Sequence, residues 1–307
     1  MSASHSNSPQ TDSHEFLVTY KGKTLNLQSF LGSHPGGEST LTPYQNKDIT
    51  SAFESLPHSE YAESLIPTLY TENAQKQVSL IDPYRGTLYQ VWSKMNLKSY
   101  IDFVNSPQVL EGHMRVFDSP VLEPFSKTPW QVIPMFWLPV ITYWGICGAQ
   151  QFGLEGCIWI ILGLFYWTLF EYILHRFAFH SEAYLPDNRF AICLHYLLHG
   201  IHHAFPMDSL RLVFPPALGV ILCVIFKSIY NSFLPQGIAD AFMAGKILGY
   251  IYYDLFHYFS HHADLKGGYT GFMKKYHLAH HYKNSLVGFG VSNHFWDIIF
   301  GTTLALG

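Results

Sequence analysis

The chain is poor in charge and in cysteine. Only 13% of its 307 residues are charged, against 48% that are hydrophobic, and the formal net charge is −4. This balance provides no basic surface for nucleic acid, so no nucleic-acid partner is expected, and it is more typical of a membrane protein than of a soluble one. The four cysteines show no CxxC spacing, which excludes a zinc ribbon and a disulfide framework.

The N-terminus lacks the apolar core of a secretory signal peptide. Residues 1–13 are rich in serine, histidine and asparagine and are predicted to be disordered. We therefore expect the N-terminal part of the chain to stay in the cytosol.

Histidine, in contrast, is abundant, with 18 residues, as many as lysine and arginine together. In the C-terminal half the histidines form the patterns H-x4-H, H-x2-HH, H-x3-H and H-x2-HH. Residues at i, i+3 and i+4 share one face of a helix, and neutral imidazole binds metals at physiological pH. One such pattern is compatible with chance or with buried core histidines, but four in succession favour a site for two metal ions. The predicted ligands are His175, His180, His199, His202, His203, His257, His261, His277, His280 and His281.

Two carboxylates stand about one helical turn before a predicted ligand. Glu171 lies four residues before His175, and Asp254 lies three before His257. Either carboxylate could accept the second N–H of the imidazole and orient the ring, or could make an unrelated polar contact. Weaker candidates, for supporting or structural roles, are His195, His262 and His294.

The segment from Glu15 onward predicts a small α+β module. Phe16–Tyr20 and Thr24–Leu27 are expected to form two short strands around a tight turn. The sequence HPGG follows at residues 34–37. A proline and two glycines force a turn that presents the histidine and lets the backbone approach a flat cofactor.

HPGG, D-x4-F at 48–53 and HS-x2-A at 58–62 together resemble the cytochrome b5 family, over about residues 15–69. The resemblance implies that His34 and His58 are the axial ligands of a b-type haem. With both axial positions filled, such a haem has no site for oxygen and transfers electrons only. The alternative is a small α+β module that has lost its haem.

Residues 71–129 have a mixed composition, and several prolines interrupt any long helix. We expect a linker that lies along the membrane surface, with Trp92, Tyr100 and Phe103 as interfacial contacts. No chemistry is predicted for this segment.

Four apolar segments follow, each close to the roughly 20 residues that cross a bilayer. They lie at about 131–149, 154–174, 212–233 and 238–258. Lys227 and Lys246 are expected to snorkel toward the end near 234–240. The loops 150–153 and 234–237 hold no lysine or arginine, whereas basic residues follow the second and fourth segments. The positive-inside rule then places the histidine patterns and the haem module on the cytosolic side.

The order of an HPGG module and these histidine patterns, with the ending His294-Phe-Trp-Asp-x3-Gly-Thr, resembles the fatty acid 2-hydroxylase family. That family belongs to the membrane fatty acid hydroxylase and sterol desaturase superfamily, and the likeness covers about residues 15–70 and 110–305. It implies O2- and electron-dependent hydroxylation of the α-carbon of a membrane-lipid acyl chain, for 2-hydroxy sphingolipids of the endoplasmic reticulum. An electron-carrying haem joined to a two-metal site predicts reductive O2 chemistry, which needs a redox-active metal, so we expect two iron ions, with zinc able to replace them in purified samples. The resemblance implies an NAD(P)H-dependent cytochrome reductase as electron donor.

The predicted fold is a small α+β cytochrome b5-like domain followed by an all-α integral membrane domain with four transmembrane helices and a cytosolic helical cap. The predicted divisions are 1–13, 14–70 for the haem domain, 71–129 for the linker and 130–307 for the membrane domain. Two alternatives stay open. One is a sterol methyl oxidase or desaturase of the same superfamily, and the other is a membrane haem protein that relays electrons and holds structural zinc.

Overall fold

The computed structural model describes residues 15–55, 58, 60–71, 81–108, 110 and 112–306. The predicted disordered segment 1–13 therefore lies outside the described residues. The expected strand pair is confirmed: β1, Leu17–Tyr20, pairs antiparallel with β2, Lys23–Asn26. Lys21 and Gly22 have positive φ angles of 49° and 77°. A two-residue hairpin turn of this kind requires positive φ at both positions.

Three short α-helices lie among the described residues of the N-terminal module. They are α1, Glu38–Leu41, α2, Thr50–Ser55, and α3, Glu60–Leu69. Val18 of β1 and Leu25 of β2 pack with Ile49 and Ile66 in a small core, where each is at most 7% exposed. The module thus buries apolar side chains of its own, as an α+β domain requires.

The remaining chain is helical in the described residues. Its helices are α4, Thr87–Lys94, α5, Leu97–Val104, α6, Val132–Phe152, α7, Leu154–Ile173, α8, Arg189–His195, α9, Ile201–Ala204, α10, Pro216–Asn231, α11, Gln236–His262, α12, Gly268–Tyr282, and α13, Phe295–Phe300. Two π-helical segments, Leu174–Phe179 and Tyr196–Gly200, continue α7 and α8.

Several described residues of the segment predicted to be a surface linker pack against the histidine-bearing part of the chain. Tyr100 and Phe103 on α5 are 0% and 8% exposed and share a core with Ile192 and Tyr196. Their predicted role as membrane-interface contacts is therefore wrong, whereas Trp92 is exposed and its interfacial role stays a prediction. A capping box at Asn96 begins α5, and the helix contains no proline because it ends at Val104, before Pro107.

Within the part of the chain that the structure describes, two helices are long and apolar enough to cross a membrane, namely α6 and α7 with its π-helical extension. The third predicted span, α10, is a shorter apolar helix of 16 residues. The fourth, α11, has 27 residues, and most of them are buried against its neighbours. α11 is therefore the central helix around which α6 and α7 pack.

Glycine brings the backbones of α7 and α11 into contact. A Cβ atom on Gly163 would lie 2.1 Å from the Phe242 carbonyl oxygen, and one on Gly245 would lie 1.8 Å from the Ile160 carbonyl oxygen. Small residues allow this close approach between membrane helices, where apolar burial provides no driving force. The glycines thereby set the spacing between the two helices that lead into the histidine patterns.

The lysines of α10 and α11 behave differently from each other. Lys227 pairs with Asp240, at the predicted end of the bundle. Lys246 does not snorkel as predicted, because it is only 3% exposed. Its ammonium donates to the Tyr230 hydroxyl at 3.2 Å and lies 3.6 Å from the ring centroid of Phe226. The surrounding rings of Tyr166, Phe170 and Phe226 offer cation–π attraction to a protonated amine in place of water.

Candidate metal centre

The ten predicted ligands come from four separate parts of the chain and fold to one place. His175 lies at the end of α7, the H-x2-HH pattern at 199–203 lies at and after the second π-helical segment, and α11 and α12 provide the remainder. Each of the ten side chains is 7% exposed or less. The structure therefore brings together every histidine that the sequence patterns singled out, including the pairs that α-helical spacing alone does not align.

The H-x4-H pattern depends on the π-helical segment that continues α7. A π-helix closes i→i+5 hydrogen bonds, and the His180 N–H donates to the His175 carbonyl at 3.0 Å. The wider turn brings the two rings together, with centroids 4.8 Å apart. Single π-turns inside α-helices are common at functional sites.

Five histidines form a first group, in which the possible ligand atoms all lie within 4.8 Å of one another: His202, His257, His261, His277 and His281. The Nε2 atom of His202 lies 2.8 Å from the Nε2 atoms of both His257 and His281. A neutral imidazole nitrogen has either one proton or one lone pair, so it cannot satisfy two such neighbours by hydrogen bonds. Nitrogens bound side by side to an ion at about 2.1 Å stand about 3 Å apart. The spacing therefore fits a shared cation.

A second group contains His175, His180, His199 and His203, whose possible ligand atoms also lie within 4.8 Å of one another. His280 joins it, because its Nε2 atom lies 2.8 Å from that of His180. The Nε2 atoms of His199 and His203 are buried and have no hydrogen-bond partner among the described residues. Buried polar atoms are rarely left without a partner, so these nitrogens favour a bound ion.

The second ring nitrogens of two ligands are fixed by backbone carbonyls. His175 Nδ1 lies 2.5 Å from the Phe289 carbonyl oxygen, and His280 Nδ1 lies 2.8 Å from that of Val287. Donation to a carbonyl assigns the proton to Nδ1 and leaves the lone pair on Nε2, the atom that faces the other imidazoles. The sequence patterns did not indicate that residues 287–289 contact the metal ligands.

A carboxylate that the sequence analysis missed lies beside the second group. Glu182 Oε1 is 3.4 Å from His180 Nδ1. Burial raises the pKa of Glu182 to about 7. Its position two residues after a ligand was the only signal in the sequence, and it is a weak one.

The two carboxylates singled out from the sequence make polar contacts of another kind. Glu171 accepts the backbone N–H of Ser292 at 2.9 Å. Asp254 accepts the backbone N–H of Phe214 and the hydroxyl of Tyr250, each at 3.1 Å. Of the two interpretations left open, these contacts support the polar contact rather than direct orientation of an imidazole.

The three weaker histidine candidates lie outside both groups. His195 lies 2.7 Å from the Phe179 carbonyl through Nε2 and 2.5 Å from the Tyr100 hydroxyl through Nδ1, and its Nε2 atom is 3.6 Å from Glu182, contacts that suit either a supporting or a structural role. The His262 ring packs on Tyr258. The His294 ring lies against Phe272.

Burial keeps the ligand imidazoles neutral. It lowers the pKa of His277 and His281 well below the usual 6.5, and neighbouring imidazoles lower it further, since each disfavours a second positive charge. For His280 burial lowers the pKa to about 4. A cage of buried neutral imidazoles has its lone pairs available at pH 7, which is the donor set that a divalent transition metal requires.

The N-terminal module has two histidines in a comparable state. His34 Nδ1 lies 3.3 Å from the Gly37 carbonyl oxygen, and His58 Nδ1 lies 2.8 Å from that of Phe53. Each contact favours a proton on Nδ1 and a lone pair on Nε2. A Cβ atom on Gly36 would lie 2.8 Å from the His34 ring, so glycine is needed there. These features fit a haem held by two axial histidines.

Comparison with known proteins finds one family match over the N-terminal module and another over the histidine-bearing part. The model of the cytochrome b5-like heme/steroid binding domain matches residues 3–76, and that of the fatty acid hydroxylase family matches residues 160–302. The ceramide very long chain fatty acid hydroxylase SCS7 of Saccharomyces cerevisiae is 35% identical, over 94% of this chain and 90% of that protein. The chain belongs to the fatty acid 2-hydroxylase family.

Two further relatives support this membership. The dihydroceramide fatty acyl 2-hydroxylase FAH1 of Arabidopsis thaliana is 40% identical, over 67% of this chain and 86% of that protein. A solved structure of full-length scs7p, in which only the hydroxylase domain is visible, matches with a TM-score of 0.72 at 39% identity, over 82% of this chain and 92% of that chain. As a fatty acid 2-hydroxylase, the chain is a membrane oxidoreductase with an N-terminal haem-binding domain and a metal-binding histidine centre.

Proposed function

We propose that this chain hydroxylates C2 of a long fatty acyl chain that belongs to, or is destined for, a sphingolipid. The relatives named for ceramide and dihydroceramide support this class of substrate. The balanced reaction takes the acyl chain, O2, two electrons and two protons to the 2-hydroxyacyl chain and water. The observation that carries the proposal is one chain that combines an electron-transferring haem module with a buried cage of histidines.

We propose two iron ions as the resident metals, one in each five-histidine group. Iron bound there would supply the redox chemistry that activates O2, which zinc cannot do. Zinc nevertheless binds imidazole sites tightly, so a purified sample can carry it in place of iron. His34 and His58 would hold the b-type haem, with an NAD(P)H-dependent reductase as its electron donor.

The protein's own groups position the reaction and exclude water from it. Both histidine groups are buried, and the Phe289 side chain packs against the rings of His175, His180 and His280. His175 lies in the last turn of a candidate span, which ends at Phe179. A centre at that depth suits C2, which lies next to the headgroup, better than a carbon in the middle of the chain.

We propose that α6, α7, α10 and α11 all cross the endoplasmic reticulum membrane, with the N-terminus and the histidine centre in the cytosol under a helical cap. The length of α11 and the placement of the basic residues support this arrangement. The proposed domains are 14–70 for the haem module and 130–307 for the hydroxylase. Apolar residues of α4, α5 and 112–117 share a buried core with α8 and α9, so this part of the predicted linker would sit against the hydroxylase domain.

The test is sphingolipid mass spectrometry on cells that lack this protein and are rescued with wild type, His280→Ala or His34→Ala. We expect wild type to restore 2-hydroxy ceramides and both variants to fail. Rescue by His34→Ala would show that electrons reach the centre without the fused haem. Unchanged 2-hydroxy lipids with accumulation of sterol intermediates would refute the proposed substrate and favour the sterol branch of the superfamily.

A further inference from the structure

The C-terminal ending His294-Phe-Trp-Asp-x3-Gly-Thr has no assigned role in the reaction. Its aspartate, Asp297, is fully buried. One carboxylate oxygen accepts the backbone N–H of Phe289 at 2.9 Å, and the other accepts that of Gly290 at 2.8 Å. The Thr302 hydroxyl donates to the same carboxylate at 2.8 Å. The ending therefore binds the backbone of the segment immediately before it.

Glu171 on α7 binds the next two residues of that segment. Its Oε1 atom accepts the backbone N–H groups of Ser292 at 2.9 Å and of Val291 at 3.3 Å. The Ser292 hydroxyl also donates to this carboxylate, at 2.7 Å from Oε2. Four consecutive backbone N–H groups, from 289 to 292, are thus held by two buried carboxylates.

Two carbonyl groups at the start of this segment point to the metal centre. Those of Val287 and Phe289 accept the Nδ1–H groups of His280 and His175. Gly288 between them has a φ of +76°, a conformation that glycine adopts without strain. No side chain fits at Gly290, where a Cβ atom would lie 1.9 Å from the Asn293 carbonyl oxygen.

We propose that residues 287–292, anchored by Asp297 and Glu171, form a positioning segment that fixes the tautomer and direction of His175 and His280. This inference rests on the proposed metal centre. The carboxylates touch neither the metal nor the substrate in this scheme; they act through two carbonyl groups on two ligands. An Nδ1–H held by a carbonyl keeps the Nε2 lone pair aimed at the ion and makes it more basic.

The positioning segment serves only one of the two histidine groups. His175 and His280 both belong to the second group. In the first group, the Nδ1 atoms of His202, His261, His277 and His281 are buried without a hydrogen-bond partner among the described residues. Loss of the anchors should therefore weaken one ion and spare the other.

The experiment counts metal ions on the purified full-length protein by mass spectrometry during titration with a chelator. We expect Asp297→Ala and Glu171→Ala to weaken one of the two ions by about 10- to 100-fold. Glu171→Gln should retain both ions at wild-type affinity, because one amide oxygen can accept both backbone N–H groups that Oε1 now accepts. If the role of Glu171 depended on its negative charge, Glu171→Gln would weaken the binding of one ion as Glu171→Ala does.

Asp208→Asn is the matched control. Asp208 is as deeply buried and accepts the backbone N–H groups of Met114 and Leu210, but these lie in another segment. It should lower the melting temperature without changing either metal affinity. If Asp297→Ala fails to fold, Gly288→Ala provides a second perturbation that keeps both carboxylates. It should also weaken the binding of one ion only.

The outcomes separate this inference from the proposed function. Two ions in wild type and two equally tight ions in Glu171→Ala and Gly288→Ala would overturn the positioning role and leave the metal centre standing. Parallel loss of both ions in folded variants would also overturn it, because the effect would then be general destabilisation. A wild-type protein that binds no metal would refute the metal centre itself, and the inference with it.

Discussion

Gly245→Ala is expected to disturb the metal centre from a distance. The new methyl group would lie 1.8 Å from the Ile160 carbonyl oxygen, which belongs to the α7 backbone and cannot rotate away. Ordinary contact begins at 3.4 Å, so α7 and α11 must separate by about 1.6 Å at this point. α11 continues for about 18 Å from residue 245 to His257, and α7 leads into His175.

Two opposing effects decide the sign for stability. Alanine gains about 1 kcal/mol of helix propensity over glycine. Overpacking costs about 1–3 kcal/mol, and a clash with backbone belongs at the upper end of that range. The net destabilisation should therefore be about 1–2 kcal/mol, which lowers the unfolding midpoint by about 2–8 °C. Because the ligands on the two helices must move apart, hydroxylation should fall by about 10²-fold.

Gly145→Ala on α6 is the control, since its Cβ atom would meet the Ile160 side chain at an ordinary 3.7 Å. It should leave activity unchanged and stability equal or slightly higher. The assays are thermal unfolding of the detergent-solubilised protein and 2-hydroxy lipid formation in cells. Equal stability and activity of Gly245→Ala and Gly145→Ala would refute the inference that the α7–α11 contact sets the spacing of the ligands.

Three further predictions concern the cofactors. His34→Ala or His58→Ala should abolish the absorbance of a haem with two axial histidines in the purified protein, and an unchanged spectrum would exclude these ligands. Burial lowers the pKa of His280 to about 4, so the neutral, metal-binding form of this imidazole persists below the ordinary pKa of 6.5. In equilibrium dialysis, bound metal should therefore be retained at pH 5.5 and released as the pH approaches about 4. Release already near pH 6.5 would contradict this. Removal of metal by a chelator should abolish hydroxylation. Addition of Fe2+ should restore it, whereas Zn2+ should bind without restoring it. Activity with Zn2+ alone would contradict a redox role for the metal.

The identity of the candidate ligands could be predicted from the sequence because histidine is both rare in ordinary cores and specific in its chemistry. Two H-x2-HH patterns place three imidazoles on one helical face from local geometry alone. The hairpin around Lys21 and Gly22 and the limits of α6 and α7 likewise depend on local preferences and continuous apolarity. Each of these features is decided by residues within a few positions of one another.

The tertiary structure decided how the histidines divide into two groups and what holds them. His280 lies beside His180, and His281 beside His202, although all four belong to H-x2-HH or H-x4-H patterns that look interchangeable in the sequence. The π-turn at His175, the burial of Tyr100 and Lys246, and the carbonyls of residues 287 and 289 follow from contacts between distant segments. Sequence periodicity reports which face of a helix is apolar, but not which other segment covers that face, because packing partners are chosen by the fold as a whole.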